Sequence, residues 1–175
     1  PTPKLPSPLP QGLPPLSPIM ARFTAAFALV AAAALGMANA VEYKVRVRNL
    51  TYLQPFSPPL VVAHTDDVAL FKEGLPASDE IKAMAENGDN SGLVALLSDP
   101  SVAPYICGYV VSDGALEPLG TWRGTMEVDT GKCSGRIVYS TVGMLVNTND
   151  AFYGIDAVRL PRVGSSKEFP PAFDA

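Results

Sequence analysis

Residues 41–48 alternate without exception between apolar and charged side chains. Four of each type interleave there: Val41, Tyr43, Val45 and Val47 against Glu42, Lys44, Arg46 and Arg48. Because successive side chains of a β-strand point to opposite faces, this pattern predicts a strand with one buried face and one face in water. Strands with one solvent-exposed face are typical of antiparallel sheets, so the chain is predicted to be mainly β.

Further β-prone segments follow at intervals of about ten residues and are separated by turn sequences. They are residues 105–111, 122–128, 134–146 and 153–160. Residues 129–132 are predicted to join the second and third of these segments as a short hairpin connection. Residues 60–63 follow Pro55, Pro58 and Pro59, and they predict only a short extended piece. Short strands with intervening turns predict an antiparallel β-sandwich.

One or two short helices are predicted within this β chain. Ser78 is the expected N-cap of the first helix, and an acidic first turn follows it. That helix is expected to end at Asn87-Gly88. A second helix, at roughly residues 91–98, has leucines on one face and ends before Pro100.

The first forty residues predict a leader rather than part of the fold. Residues 1–19 are rich in proline and are expected to be disordered. Residues 20–40 have the order of a signal peptide: a basic residue, an apolar run, and an A-x-A cleavage site that ends at Ala40. The chain is therefore predicted to be secreted and extracellular, with one domain at residues 41–175. The alternative is an uncleaved segment that anchors a surface protein, which is the one case in which a membrane is an expected partner.

The charge distribution argues against nucleic acid as a partner. All 17 acidic residues lie after residue 40, whereas two of the 13 basic residues, Lys4 and Arg22, precede it. A negative domain without basic clusters is also a poor match for an anionic membrane surface. The excess carboxylate is compatible with calcium binding.

Cys107 and Cys133 are the only cysteines, and an even pair in a secreted chain predicts a disulfide. Closing a loop of about 27 residues stabilises a domain by about 3.5 kcal/mol through loop-closure entropy. A metal or catalytic thiol is the alternative. It lacks support because His64 is the only histidine and lies far from both cysteines in the sequence.

Catalytic signatures are sparse. His64 beside Asp66 and Asp67 could serve as an oriented general base of a secreted hydrolase. The other interpretation is a histidine hydrogen-bonded locally at the end of a strand, and it is favoured because no nucleophile motif accompanies His64.

Two loop motifs suggest modification or metal binding. Asn49-Leu50-Thr51 is an N-glycosylation sequon, which a eukaryotic source would use. Residues 147–150 are rich in asparagine and aspartate, and Asp156 and Asp174 follow. Such oxygen donors suit calcium, although they match no EF-hand and are equally typical of a turn that caps its own backbone.

Several blocks of the sequence resemble a known family. They are residues 45–51, 54–64, 69–78, 144–152 and 171–175, and they include Ser57-Pro58-Pro59 and Thr148-Asn149-Asp150-Ala151-Phe152. In this order they look like the spondin N-terminal domain, in the compact form found outside animals. The resemblance covers nearly all of residues 41–175.

The resemblance implies a C2-like antiparallel β-sandwich of the kind found in extracellular-matrix and adhesion proteins. It implies a secreted, non-catalytic binding domain whose partner is an extracellular protein or glycan. It also implies a calcium site with Asp150 and Asp174 as ligands. In the family, the third ligand lies further along the segment whose beginning is matched by residues 173–175. The sequence is therefore expected to stop before the domain and its calcium site are complete.

Overall fold

A computed structural model describes residues 40–162 and 164–165. Within these residues the chain forms six strands and two α-helices. In chain order they are β1 (Ala40–Arg48), β2 (Leu60–Thr65), α1 (Asp79–Asn87), α2 (Ser91–Leu97), β3 (Ile106–Val111), β4 (Thr121–Asp129), β5 (Ile137–Met144) and β6 (Phe152–Arg159). A 3-10 turn at Ala103–Tyr105 precedes β3.

The strands form two antiparallel sheets, which confirms the predicted mainly β fold and antiparallel sandwich. β1 pairs with β4 along its whole length, from Ala40 opposite Asp129 to Arg48 opposite Thr121. The other sheet has the order β3-β2-β5-β6. The charged side chains of β1 are exposed and the apolar ones are half-buried, as the alternation predicted.

One face of the larger sheet packs against the β1–β4 pair. Val61 and Ala63 of β2 and Cys107 of β3 share a buried cluster there with Met126 and Val128 of β4. β3 approaches β4 so closely that a Cβ on Gly108 would overlap the carbonyl oxygen of Glu127. The two sheets therefore enclose a common core, and glycine at position 108 permits their contact.

The opposite face of the larger sheet is covered by the helices. Leu60 and Val62 of β2 pack there with Ile81 and Met84 of α1 and with Leu93 of α2. Ser78 caps α1 by accepting a hydrogen bond from the Ile81 N–H, and Gly88 ends it in a left-handed conformation. The predicted bounds of both helices are thus confirmed to within a residue or two.

The short extended piece predicted at residues 60–63 is confirmed: it is part of β2, an interior strand of the larger sheet that is buried on both faces. The hairpin predicted at residues 129–132 was wrong. Residues 129–132 do not make a hairpin, because β4 and β5 belong to different sheets. Asp129 Oδ1 accepts hydrogen bonds from the N–H groups of Gly131 and Lys132, which forms a turn that carries the chain from one sheet to the other.

The predicted leader, residues 1–19 and most of 20–40, lies outside the described residues. Ala40, the expected cleavage position, is the first residue of β1. Among the described residues, no helix is both long enough and apolar enough to cross a membrane.

Candidate functional site

Three connections meet at one end of the sandwich, and we call this region the loop end. It consists of residues 49–57 after β1, residues 116–120 before β4, and residues 145–151 between β5 and β6. Phe56 joins the three connections, because its backbone forms one isolated β-bridge with Leu116 and another with Leu145. The side chains of these three residues form a buried cluster beneath the loops. The loop end therefore has a small core of its own.

Tyr153 closes this small core from β6. Its ring lies against Phe56 with 4.4 Å between the ring centroids. Burial raises the pKa of the Tyr153 phenol, and the nearby Thr141 side chain opposes this shift. The Tyr153 hydroxyl and Thr141 Oγ1 are both buried without a hydrogen bond of good geometry in the described part of the chain.

Asn49 anchors the first loop from inside the protein. Its side chain is fully buried, and Nδ2 donates to Gln54 O at 2.7 Å and to Leu116 O at 3.1 Å. Oδ1 accepts from the Thr51 backbone N–H at 2.9 Å and from Thr51 Oγ1 at 2.6 Å. The sequon residues thus form a hydrogen-bonded loop anchor.

This geometry gives Asn49 a role other than the expected glycan acceptor. A glycan would be attached to Nδ2, the atom that donates both hydrogen bonds into the interior. Its attachment would require the Asn49 side chain to leave its buried position. The buried anchor and a glycan at Asn49 are therefore alternatives, and glycosylation of Asn49 stays a prediction.

The tips of the loop end expose large apolar side chains. Tyr52 is 78% exposed and Leu53 is 74% exposed, and Leu50, Leu119 and Val146 are also exposed. The three loops are held side by side: Asn49 N–H donates to Gly120 O, Val146 N–H to Pro55 O, and Asn147 Nδ2 to Leu53 O. The apolar tips therefore belong to one surface.

Asp150, a predicted calcium ligand, lies exposed in the third loop. It lines a cleft of about 360 Å³ together with Lys82 and Glu86 of α1. Asp174, the other predicted ligand, lies outside the described residues. Within residues 40–162 and 164–165, no three His, Cys, Asp or Glu side chains come together as a metal-binding group. Asp150 alone falls short of the six to eight oxygen ligands of calcium, so the calcium site stays a prediction.

His64 is buried and uses both ring nitrogens. Nδ1 lies 2.7 Å from the Thr65 carbonyl oxygen, and since that oxygen only accepts, Nδ1 is the donor. Nε2 lies 2.8 Å from Ser140 Oγ. Ser140 Oγ also accepts from the Ala157 N–H at 2.9 Å and lies 3.2 Å from Asp156 Oδ1. His64, Ser140 and Asp156 thus form a polar chain that links β2, β5 and β6.

The order of this chain differs from that of a catalytic triad. In a triad the histidine lies between the serine and the carboxylate, whereas here the serine lies between the other two and is buried. These three polar side chains hold β6 at the point where its register with β5 shifts. This point lies next to Ala157, which has a φ of 47°. The two carboxylates expected near His64 have other partners: Asp67 accepts from Thr65 Oγ1, and Asp66 lies 4.0 Å from Arg136 Nε.

Cys107 and Cys133 form a disulfide, as predicted, with 5.6 Å between their Cα atoms. Cys107 lies in β3 and Cys133 in the connection that crosses between the sheets. The bond closes the end of the sandwich opposite the loop end.

The chain matches no protein-family model and shows no significant similarity to a curated protein sequence. The resemblance to spondin N-terminal domains therefore rests on the sequence blocks alone and stays a prediction.

Sequence reasoning missed the loop end as a surface. It treated Asn49 as a glycosylation signal and gave no role to Tyr52, Leu53 or Leu119. The available signal was the pair Tyr52-Leu53 directly after a strand and before a proline-rich stretch, because large apolar residues are uncommon in an exposed turn.

Proposed function

We propose that this protein is a secreted, non-catalytic binding domain that presents the loop end to an extracellular partner. The observation that carries this proposal is the fixed surface of five exposed apolar side chains at the loop end. Exposed apolar patches on a folded domain are typical of interaction sites. The buried anchor at Asn49 and the cluster around Phe56 hold the loops in place, which reduces the entropy lost on binding.

Spondin-type identity is part of the same proposal. It is supported by the order of the sequence blocks, by the antiparallel sandwich with two helices in one connection, and by the disulfide. Disulfides persist in oxidising compartments, which agrees with secretion. Calcium binding through Asp150 and Asp174 belongs to the proposal and follows from the resemblance.

Expression in a secreting host tests the proposal. We expect the protein in the culture medium, with an intact mass that corresponds to a chain beginning at Val41. Glycan and extracellular-protein arrays should then report a ligand whose binding is lost in Leu53→Ser and kept in Leu75→Ser, an exposed leucine outside the loop end. Retention of the apolar segment of residues 23–37 would contradict secretion, and equal binding by both variants would contradict the role of the loop end.

Calcium binding is tested separately by isothermal titration. We expect heat of binding from the complete natural domain, which carries the third ligand that the resemblance implies, and we expect that heat to be lost in both Asp150→Asn and Asp174→Asn. Asp113→Asn, an exposed aspartate outside residues 145–151, is the matched control and should keep it. Calcium binding unaffected by either ligand variant would remove these residues from the proposed site.

A further inference from the structure

We propose that the helix side of the larger sheet holds a binding site for a small uncharged apolar molecule, of the size of a substituted benzene ring. The site is a cavity of about 210 Å³ between α2, the end of β2 and the connection that follows β2. We call it the apolar cavity. It begins at His64, toward the end of β2 that is remote from the loop end, so this inference goes beyond the proposed function and does not depend on it.

Aliphatic side chains make up almost the whole wall of the apolar cavity. Helix α2 contributes Leu93, Leu96 and Leu97. Residues 68–70 contribute a valine, an alanine and a leucine, and a further valine and isoleucine lie at positions 102 and 106. Among the described residues that line the cavity, His64 is the only one with a polar side chain. The wall therefore favours an apolar occupant.

His64 offers neither of its ring nitrogens to a ligand. Nδ1 donates to Thr65 O, and Nε2 lies 2.8 Å from Ser140 Oγ. Thr65 O is itself used twice, because it also accepts from the Val68 N–H at 3.4 Å. With both nitrogens in use, the imidazole presents only its carbon atoms to the cavity. A charged ligand would lose its water without gaining a partner among the lining side chains, at a large cost in free energy.

The size of the apolar cavity fits an organic ring. Protein interiors are closely packed, and voids larger than a water molecule are few in one domain. An apolar cavity of about 150 Å³ lined by comparable side chains stays dry and binds benzene. Because the cavity of about 210 Å³ is larger than this, it accommodates a benzene ring with a small apolar substituent. Toluene is therefore a suitable probe.

The apolar cavity combines a fixed floor with an open side. Leu93, Leu97 and Ile106 are buried in the core that α1 and α2 share with the larger sheet. Ala69 is exposed, and Leu96 is only half-buried. The cavity therefore reaches the surface beside these two residues, and a ligand enters without unfolding the core.

Nuclear magnetic resonance of His64 tests the proposal on the secreted protein. His64 is the only histidine, so ¹³C-labelled histidine reports from the wall of the cavity alone. We expect toluene to shift the His64 Cε1–H signal saturably at constant pH. Intermolecular nuclear Overhauser effects should join toluene to this ring and to leucine methyl groups. Benzoate, which has a similar shape but carries a charge, should cause neither effect.

A matched pair of variants locates the binding. Leu96→Trp places a larger side chain at the wall and should abolish the shift that toluene causes, because the ring then occupies the cavity. Ala95→Trp adds the same ring to an exposed position of the same helix and should keep the shift. Circular dichroism checks that both variants are folded.

Every outcome bears on the apolar cavity alone. The proposal is overturned if toluene gives no saturable shift, if benzoate gives an equal one, or if the shift persists in folded Leu96→Trp. If Leu96→Trp does not fold, the Overhauser effects and the comparison with benzoate decide on the wild-type protein. The loop end is tested independently by the arrays and Leu53→Ser, so either proposal can fail without the other.

Discussion

Replacement of Asn49 by alanine should remove the anchor of the first loop. Four hydrogen bonds involve the Asn49 side chain, but Thr51 Oγ1 keeps a second acceptor, Gln54 O, at 2.6 Å. Three bonds are therefore lost without replacement, and at about 1 kcal/mol each the free energy of unfolding should fall by about 3 kcal/mol. This loss is a large fraction of the total free energy of unfolding, which is roughly 5–15 kcal/mol for a typical folded protein.

The matched control is Thr51→Ala, which also destroys the sequon. It removes only the Thr51 hydroxyl, so a loss of about 1 kcal/mol is expected. Urea unfolding followed by the fluorescence of Trp122, the only tryptophan, measures both variants. Equal losses in the two variants would indicate that the sequon acts through a glycan. A glycan found on Asn49 of the folded secreted protein by intact mass would likewise refute the anchor.

Three further predictions concern the core and its pH dependence. Replacing Cys107 and Cys133 together by alanine should lower the free energy of unfolding by about 3.5 kcal/mol, and an unchanged urea midpoint would contradict this. Gly108→Ala should cost about 3 kcal/mol because its methyl group meets the Glu127 carbonyl, while Gly114→Ala, with open space around it, should cost far less in the same titration. Burial raises the pKa of Tyr153, so the folded protein keeps a proton that the unfolded chain releases above about pH 10, and stability falls as the pH rises beyond that value. Tyr153→Phe should reduce this alkaline loss, and an identical pH profile of the urea midpoint would argue against it.

The sequence predicted the elements of the fold better than their pairing. Alternation revealed β1 because one of its faces is in water. β2 has no alternation, since the helices cover one of its faces and the β1–β4 pair covers the other. The turn at Asp129 marks a reversal of the chain, but turn chemistry is local and does not say which sheet the next strand joins. The interior position of β2 and the partner of β5 both depend on contacts between residues distant in the sequence, which is why the hairpin prediction was wrong.

The candidate site was less accessible to sequence reasoning. Motifs point to single residues, and they drew attention to Asn49 and His64. In the structure both are buried and hydrogen-bonded within the protein. The loop end depends instead on three segments that come together only after folding, through the bridges from Phe56 to Leu116 and Leu145. A surface of this kind leaves no continuous motif.

Asn49 and the exposed tips are two parts of one arrangement. An apolar segment on a flexible loop would fold back onto the protein and hide its side chains from water. The hydrogen bonds of Asn49 and the bond from Asn147 to Leu53 O prevent this by fixing the backbone on both sides of Tyr52. The buried amide is therefore what keeps Tyr52 and Leu53 exposed. A domain without an apolar partner would gain nothing from that exposure, so the buried polar anchor itself supports the interpretation of the loop end as a binding surface.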